Sequence, residues 1–365
     1  MKKLALLIGS LMVIGTAVQA KETIVTPIII EEIPTFRPSG TFMQELEYFG
    51  NGEGQTNSDS VRFRAAEGFI QMTERLSGDF RLRYNFNVHD NNETGSDGSD
   101  FRTRWYYDAG YLGDTKVNLT HRIRFEKTTK FLAGDAVDPE QDNLLASNGI
   151  GLDLLLSYQP RFNFKEYFTE TEYVKVTNFT LAPFYGYQWE NKNTSNSANL
   201  FGVDLYTNYN FPADFTFELN FYAFNTWQNT NIADSATSTT DKTFTIAMEA
   251  LLYYNHEIYR FNEDTKLSLA FEGGYDPYIW KNKDIFRTRG NTNLEGAERL
   301  RSRGFSDYQY YLKAIPELRI DYQATESFNT YLRVKGVYAN RYTTGSDAQE
   351  WRWNPEVVIG WETKF

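Results

Sequence analysis

The residues with the clearest chemical signature are arginines spaced two apart. Arg62 and Arg64, Arg81 and Arg83, Arg102 and Arg104, and Arg122 and Arg124 form four such pairs, and Lys116 precedes the last of them. Two-residue spacing puts both members of a pair on one face of an extended strand. Rows of guanidinium groups attract anions and orient dipolar solutes. A second set is acidic and more widely spaced: Asp153, Asp204, Glu218, Glu249, Glu272, Glu317 and Asp321. If strands pair with their sequence neighbours, the first set makes a basic arc. The second makes an acidic arc opposite it, with few bases between. Facing arcs set a transverse field across the space they enclose. The plainer alternative is a wall brace, in which carboxylates of the stretch 127–147 fold inward against the arginines. The two alternatives are compatible.

Other chemistries find less support. Cysteine is absent and the three histidines, His89, His121 and His256, are scattered, so neither a thiolate site nor a metal centre is expected and no cofactor is implied. His121 alternates with polar residues and falls on an apolar face. A lipid-facing catalytic histidine needs a serine beside it, and only Thr103 comes near in the pattern. An interfacial aromatic-belt role fits better. His89 and Asp90 sit where a strand gives way to a polar loop, an ordinary place for a solvated histidine. Gly50-Asn51-Gly52-Glu53-Gly54 looks like a phosphate cradle, but no helix signal follows it, so it reads as a hairpin loop. The chain is not expected to be an enzyme.

The elements that must position the charges are strands. From residue 40 onward, segments of about ten alternating residues are separated by connections that are short, then long, then short again. Phe80, Leu82, Tyr84 and Phe86 alternate with Arg81, Arg83, Asn85 and Asn87, and Val117, Leu119, His121, Ile123 and Phe125 alternate with Lys116 through Glu126. The count comes to about fourteen strands, within a range of about 12 to 16. Residues 76–79 are expected to turn, and 190–199, 226–242 and 277–306 to loop. The stretch 159–177 is expected as a linker, long for the rhythm. The fold class is therefore all-β, a transmembrane antiparallel β-barrel with no α domain. Hydrophobic content of 41% with a mean hydropathy of -0.54 suits a barrel, since polar lumen residues dilute the lipid face. So many inward charges imply a wet lumen open to small hydrophilic solutes and ions.

The two ends complete the domain plan. Lys2, Lys3, the apolar stretch 4–14 and Val18-Gln19-Ala20 read as a signal peptide over 1–20. Its removal takes the formal net charge from -11 to -13, which disfavours nucleic-acid partners. Residues 21–39, with Pro27, Pro34 and Pro38, read as an extended periplasmic tether, although Ile28 to Ile30 have the alternative of docking inside the barrel. The barrel then occupies 40–365. In the last stretch Trp353, Val357, Ile359 and Trp361 share one face ending near Phe365, while Arg352, Glu356, Glu362 and Lys364 share the other. This is expected to be the closing strand, pairing with 41–49. Val357, Ile359, Trp361 and Phe365 also resemble the C-terminal signal read by barrel-assembly machinery, from which Thr363 departs, an aromatic being usual there.

Several stretches carry a family resemblance. Met1-Lys2-Lys3-Leu4-Ala5-Leu6 with Lys21-Glu22, Arg37-Pro38-Ser39-Gly40, Glu272-Gly273-Gly274-Tyr275-Asp276, and Trp351-Arg352-Trp353 with Pro355 and terminal Phe365 are similar to the major outer-membrane porins of fusobacteria, the FomA family. The likeness covers both ends and recurs at strand level. It implies a general diffusion porin in the Gram-negative outer membrane, a voltage-dependent channel for ion transport, and a homotrimer. The alternative function is a surface adhesin or receptor acting through its long loops on partner cells.

Overall fold

The computed structural model describes residues 36–54, 59–88, 97–131, 150–192, 194–233, 239–283, 286–287, 305–306, 308–340, 343–344 and 351–365. The expected leader and nearly all of the expected tether, 21–39, fall outside these residues, and Ser39 belongs to the first strand.

Fourteen long strands follow in chain order: β1 Ser39–Phe49, β2 Ser60–Gln71, β3 Leu76–Asn87, β4 Asp97–Tyr111, β5 Asn118–Phe131, β6 Ile150–Asn163, β7 Lys175–Lys192, β8 Thr194–Asn210, β9 Phe215–Ala233, β10 Thr239–Arg260, β11 Thr265–Lys281, β12 Tyr308–Thr325, β13 Phe328–Ala339 and β14 Arg352–Lys364. Each pairs antiparallel with its sequence neighbours, and β14 returns to β1, so the sheet closes. Two short pieces decorate the long-loop end: Phe286–Arg287 pairs with Phe305–Ser306, and Thr343–Thr344 pairs with Gln309 and Tyr310 of β12.

Closure follows from the cost of an edge. A terminal strand left unpaired would expose a row of backbone donors and acceptors, which is intolerable in lipid. Here Thr41 to Phe49 pair with Lys364 to Glu356, and Gly40 and Phe365 exchange backbone bonds of 2.9 and 3.1 Å. The expected seam is therefore observed. Gln44 faces outward with Leu46 and Tyr48, opposite a bulge in β2, and there its Nε2 donates to the Ala65 carbonyl at 2.7 Å and its Oε1 accepts from Trp361 Nε1 at 3.0 Å. That polar side chain on the apolar face is thus satisfied locally.

The outer wall is apolar on strand after strand. Trp105, Ile123, Leu156, Leu181, Val203, Phe221, Ile246, Leu269, Leu318, Leu332 and Ile359 are all exposed. A continuous exposed belt of this kind far exceeds what a water-soluble monomer shows, and suits a hydrocarbon surround. Aromatics flank it. Phe215 and Tyr254, with Tyr259 and Phe261, pack near the short-turn end, while Tyr338 stacks on Trp351 and Trp353 and Phe244 meets Trp280 near the other.

Strand ends differ from expectation in several places, and among them β5 runs to Phe131 and β11 to Lys281, into the stretches 127–147 and 277–306. Residues 76–79 do not turn; they begin β3, and the turn is 72–75, where Met72 N donates to Leu76 O at 2.9 Å. Gly78 sits there because the Trp105 ring lies over it, 2.7 Å from where a Cβ would stand. The expected linker shrinks to 164–174, because β6 runs on to Asn163 and β7 begins at Lys175; a 3-10 turn at Lys165–Tyr167 fills part of it. The expected loops 190–199 and 226–242 are mostly strand, since β7 to β10 extend well past the belt.

Candidate functional site

Alternation along closed strands turns the basic arc inward. Arg62 and Arg64 on β2, Arg81 and Arg83 on β3, Arg102 and Arg104 on β4, and Arg122 and Arg124 on β5 lie opposite one another or on the same face by register. Lys116 is a correction: it is exposed in the turn ahead of β5 and lines no strand.

The arginines are braced. Residues 132–147 of the stretch expected to fold inward lie outside the described residues, and the partners seen are carboxylates of the wall itself. Arg64 reaches three of them: Glu45 at 3.0 Å, Glu47 at 2.9 Å and Glu67 at 2.9 Å. Arg62 meets Glu47 at 3.3 Å and donates to Asn85 at 2.8 Å. Arg81 and Arg83 converge on Asp100 at 3.0 and 2.8 Å. Arg104 Nε donates to both oxygens of Asp79 at 2.9 Å, with Arg102 3.8 Å away, and Arg124 pairs with Glu126. Carboxylate columns therefore interleave with guanidinium columns.

The acidic arc is similarly mixed, which corrects the expectation of few bases among its members. Lys313 on β12 contacts Glu272 and Asp276, Arg333 on β13 lies 3.8 Å from Glu317, and Arg319 chelates Asp321, to which Asn329 also donates at 2.9 Å. Lys335 pairs with Glu356 at 3.2 Å. Only β8 to β10 keep the expected acidic character. Glu249 accepts from Asn220 at 3.2 Å and from Tyr222, Glu218 accepts from Asn220 and lies 3.5 Å from the Tyr253 hydroxyl, and no cation pairs with either carboxylate among the described residues. Asp204 is buried under Gln159 and Tyr206, which donate to it at 2.7 and 2.8 Å. The side chain of Asp153 lies outside what is described.

No family model and no curated protein matches the sequence. Among solved structures, an outer-membrane channel from Pseudomonas putida F1 is 11% identical, over 93% of this chain and 100% of that one, with a TM-score of 0.34. OmpT of Vibrio cholerae, an outer membrane protein, in a form lacking loop L8, is 9% identical over 90% and 98% with a TM-score of 0.31. CdiB from Acinetobacter baumannii is 9% identical over 88% and 60% with a TM-score of 0.44. At these values the likeness carries no functional argument, and the barrel rests on its own register and belt.

Several lumen residues escaped the sequence. Asp79 was hidden in the misplaced turn, Asp100 in a polar loop and Arg161 in the supposed linker. Their signal is nevertheless present: Asp100-x-Arg102-x-Arg104 and Arg319-x-Asp321 continue the two-residue spacing into β4 and β12. At the seam, Glu45 on β1 receives the Tyr331 hydroxyl at 2.6 Å and an Arg333 guanidinium, both from β13, across β14. Gly360 makes that reach possible, because a Cβ there would stand 2.5 Å from the Tyr331 ring. The short-turn mouth holds a recess of about 690 Å³ lined by charged and polar groups, among them Glu257, Lys266, Arg319, Asp321 and Lys364. His121 faces outward and bonds Tyr158 at 2.7 Å with stacked rings, while its cross-strand neighbours are Tyr107 and Pro160. His256 meets Asp214 at 2.8 Å near the β8–β9 turn, and His89 lies outside the described residues.

Proposed function

We propose that this chain is an outer-membrane diffusion channel, passing small hydrophilic solutes and ions down their gradients through a charged, water-filled lumen. The observation that carries the proposal is the composition of the inner wall. About eight strands enclose an interior that side chains just fill, and fourteen enclose a wider one. This wall presents ion pairs whose members keep partial exposure, such as Arg62 at 29% and Arg104 at 28%. Charges so placed need water or a hydrated solute beside them, because a dry lumen would leave their unused donors and acceptors unpaired. The resemblance to the fusobacterial porins points the same way. On that reading the chain is exported by a cleaved leader, inserted by the barrel-assembly machinery, and works as a voltage-dependent homotrimer.

The test is single-channel recording of the refolded chain in planar bilayers, with liposome swelling in small sugars alongside. Stepwise conductance and swelling are expected. Protein that shows heat-modifiable migration on a denaturing gel, and is therefore folded, yet passes neither ions nor sugars would refute the channel.

A further inference from the structure

The ion pairs of the basic arc leave two guanidinium groups out. Arg122 on β5 and Arg161 on β6 sit diagonally across one strand pair, since Arg122 lies opposite Gln159 and Thr120 lies opposite Arg161. Among the described residues no carboxylate comes within ion-pair distance of either. Arg122 is only 6% exposed and its Nε is buried without a hydrogen-bond partner. Arg161 donates from Nη1 to the Gln159 side-chain oxygen at 2.9 Å, and its guanidinium also interacts with the Tyr206 hydroxyl, so its partners are neutral. Both guanidinium carbons lie near the Tyr206 ring, at 6.0 Å for Arg122 and 4.3 Å for Arg161.

The nearby acid does not close the site. Asp204 Oδ2 is taken by two neutral donors, Gln159 Nε2 at 2.7 Å and the Tyr206 hydroxyl at 2.8 Å. Gln159, fully buried, spends its remaining amide contact on the Ala182 carbonyl at 3.3 Å. Two like charges held against one aromatic ring, with donors to spare, repel each other until an anion joins them. The planar fork of arginine matches a two-oxygen acceptor.

We propose that Arg122 and Arg161, backed by Tyr206, form an oxyanion-recognition site on the lumen wall that takes small solutes bearing a carboxylate or a phosphate group. The proposal rests on the channel reading for its role in permeation, but binding itself does not need conduction. Asp204 moderates the site, lowering its affinity so that a bound anion leaves again.

Titration calorimetry of the detergent-refolded full chain with inorganic phosphate in one arm and succinate in the other tests binding. Block of the chloride current by the same anions in bilayers tests the role. Arg122→Gln combined with Arg161→Gln is expected to weaken binding and block by about tenfold or more, the loss of charge-assisted hydrogen bonds. The arm that weakens identifies the oxyanion. Asp204→Asn is expected to tighten binding, and Arg260→Gln, at the short-turn mouth where Arg260 pairs with Glu257, to leave it unchanged. Should the double glutamine variant fail to fold, Arg122→Lys with Arg161→Lys keeps the charge and loses the fork, and an intermediate loss is expected. Absence of binding to wild-type protein, or equal affinity in a folded variant, overturns the site. Wild-type protein that binds but does not conduct overturns the channel and leaves the site standing.

Discussion

Replacing Glu45 by alanine tests whether the seam is held by its polar lock or only by backbone pairing. The Glu45 side chain is 2% exposed and is shared by Arg64 of β2, at 3.0 Å, and by Arg333 and the Tyr331 hydroxyl of β13. Removing a buried partner from such a cluster costs about 3–5 kcal/mol, most of it from the charges left behind. Two features argue for the lower end. Arg64 keeps Glu47 and Glu67, both at 2.9 Å, and Arg64 and Arg333 retain 22% and 15% exposure, so lumen water recovers part of the loss. The expected destabilisation is about 3 kcal/mol. Tyr331→Phe, which removes one hydrogen bond to a charged acceptor, is expected to cost about 1.5 kcal/mol. Equilibrium urea unfolding in lipid vesicles, followed by tryptophan fluorescence, measures both. The double variant should fall short of the sum by about 1 kcal/mol or more, because the groups touch. A Glu45→Ala barrel within about 0.5 kcal/mol of wild type would refute the lock and leave backbone pairing as the whole of closure.

Other consequences are more briefly stated. Gly360→Ala should push the Tyr331 ring off the seam and lower stability in the same unfolding assay, and should do so much less in a Tyr331→Ala background. Ile359→Arg places a charge on the lipid face and is expected to cost about 2–4 kcal/mol at the depth of the bilayer midplane, measured in the same unfolding assay. Deleting Phe365 removes the terminal aromatic and the seam bonds to Gly40, and should lower the yield of heat-modifiable barrel in outer membranes. Charge reversal at Arg83, Arg104 and Arg122 should move the reversal potential in a salt gradient toward cation preference. The shift is expected to be largest for Arg122, whose charge no wall carboxylate pairs.

All fourteen strands were legible because lipid imposes a period of two wherever a strand crosses it, and that period is a local property of the sequence. The same cause explains where the strands were cut short. Past the belt no hydrocarbon demands apolar side chains, so the Asn, Ser and Thr of 190–199 and 226–242 read as loop while the backbone ladder continues through them. Ser77-Gly78-Asp79 read as a turn for the opposite reason: the glycine is there to admit the Trp105 ring from the next strand, a contact invisible in one dimension. The inward arginines were likewise legible, but their partners were not. Asp100 serves Arg81 and Arg83 only because β3 and β4 pair with Arg83 opposite Asp100, and that register is a property of two strands together.

Register also changes what the lumen charges do. Opposed arcs of unlike sign would set a field across the whole bore, yet most arginines and most acids have a partner one strand away and act at a distance as neutral pairs. What survives is local. Arg122 and Arg161 keep their charge on β5 and β6, and Glu218 and Glu249 keep theirs on β9 and β10. Between these sets lie β7 and β8, carrying Asp204 and the Tyr206 ring that meets Tyr222 edge-on at 5.7 Å. With strands about 4.8 Å apart, β6 and β9 are separated by roughly 14 Å along the wall. That exceeds the screening length of about 8 Å at physiological salt, so each set addresses its own ion. In the proposed channel a cation and an oxyanion would therefore each meet its own set of charges along this part of the wall.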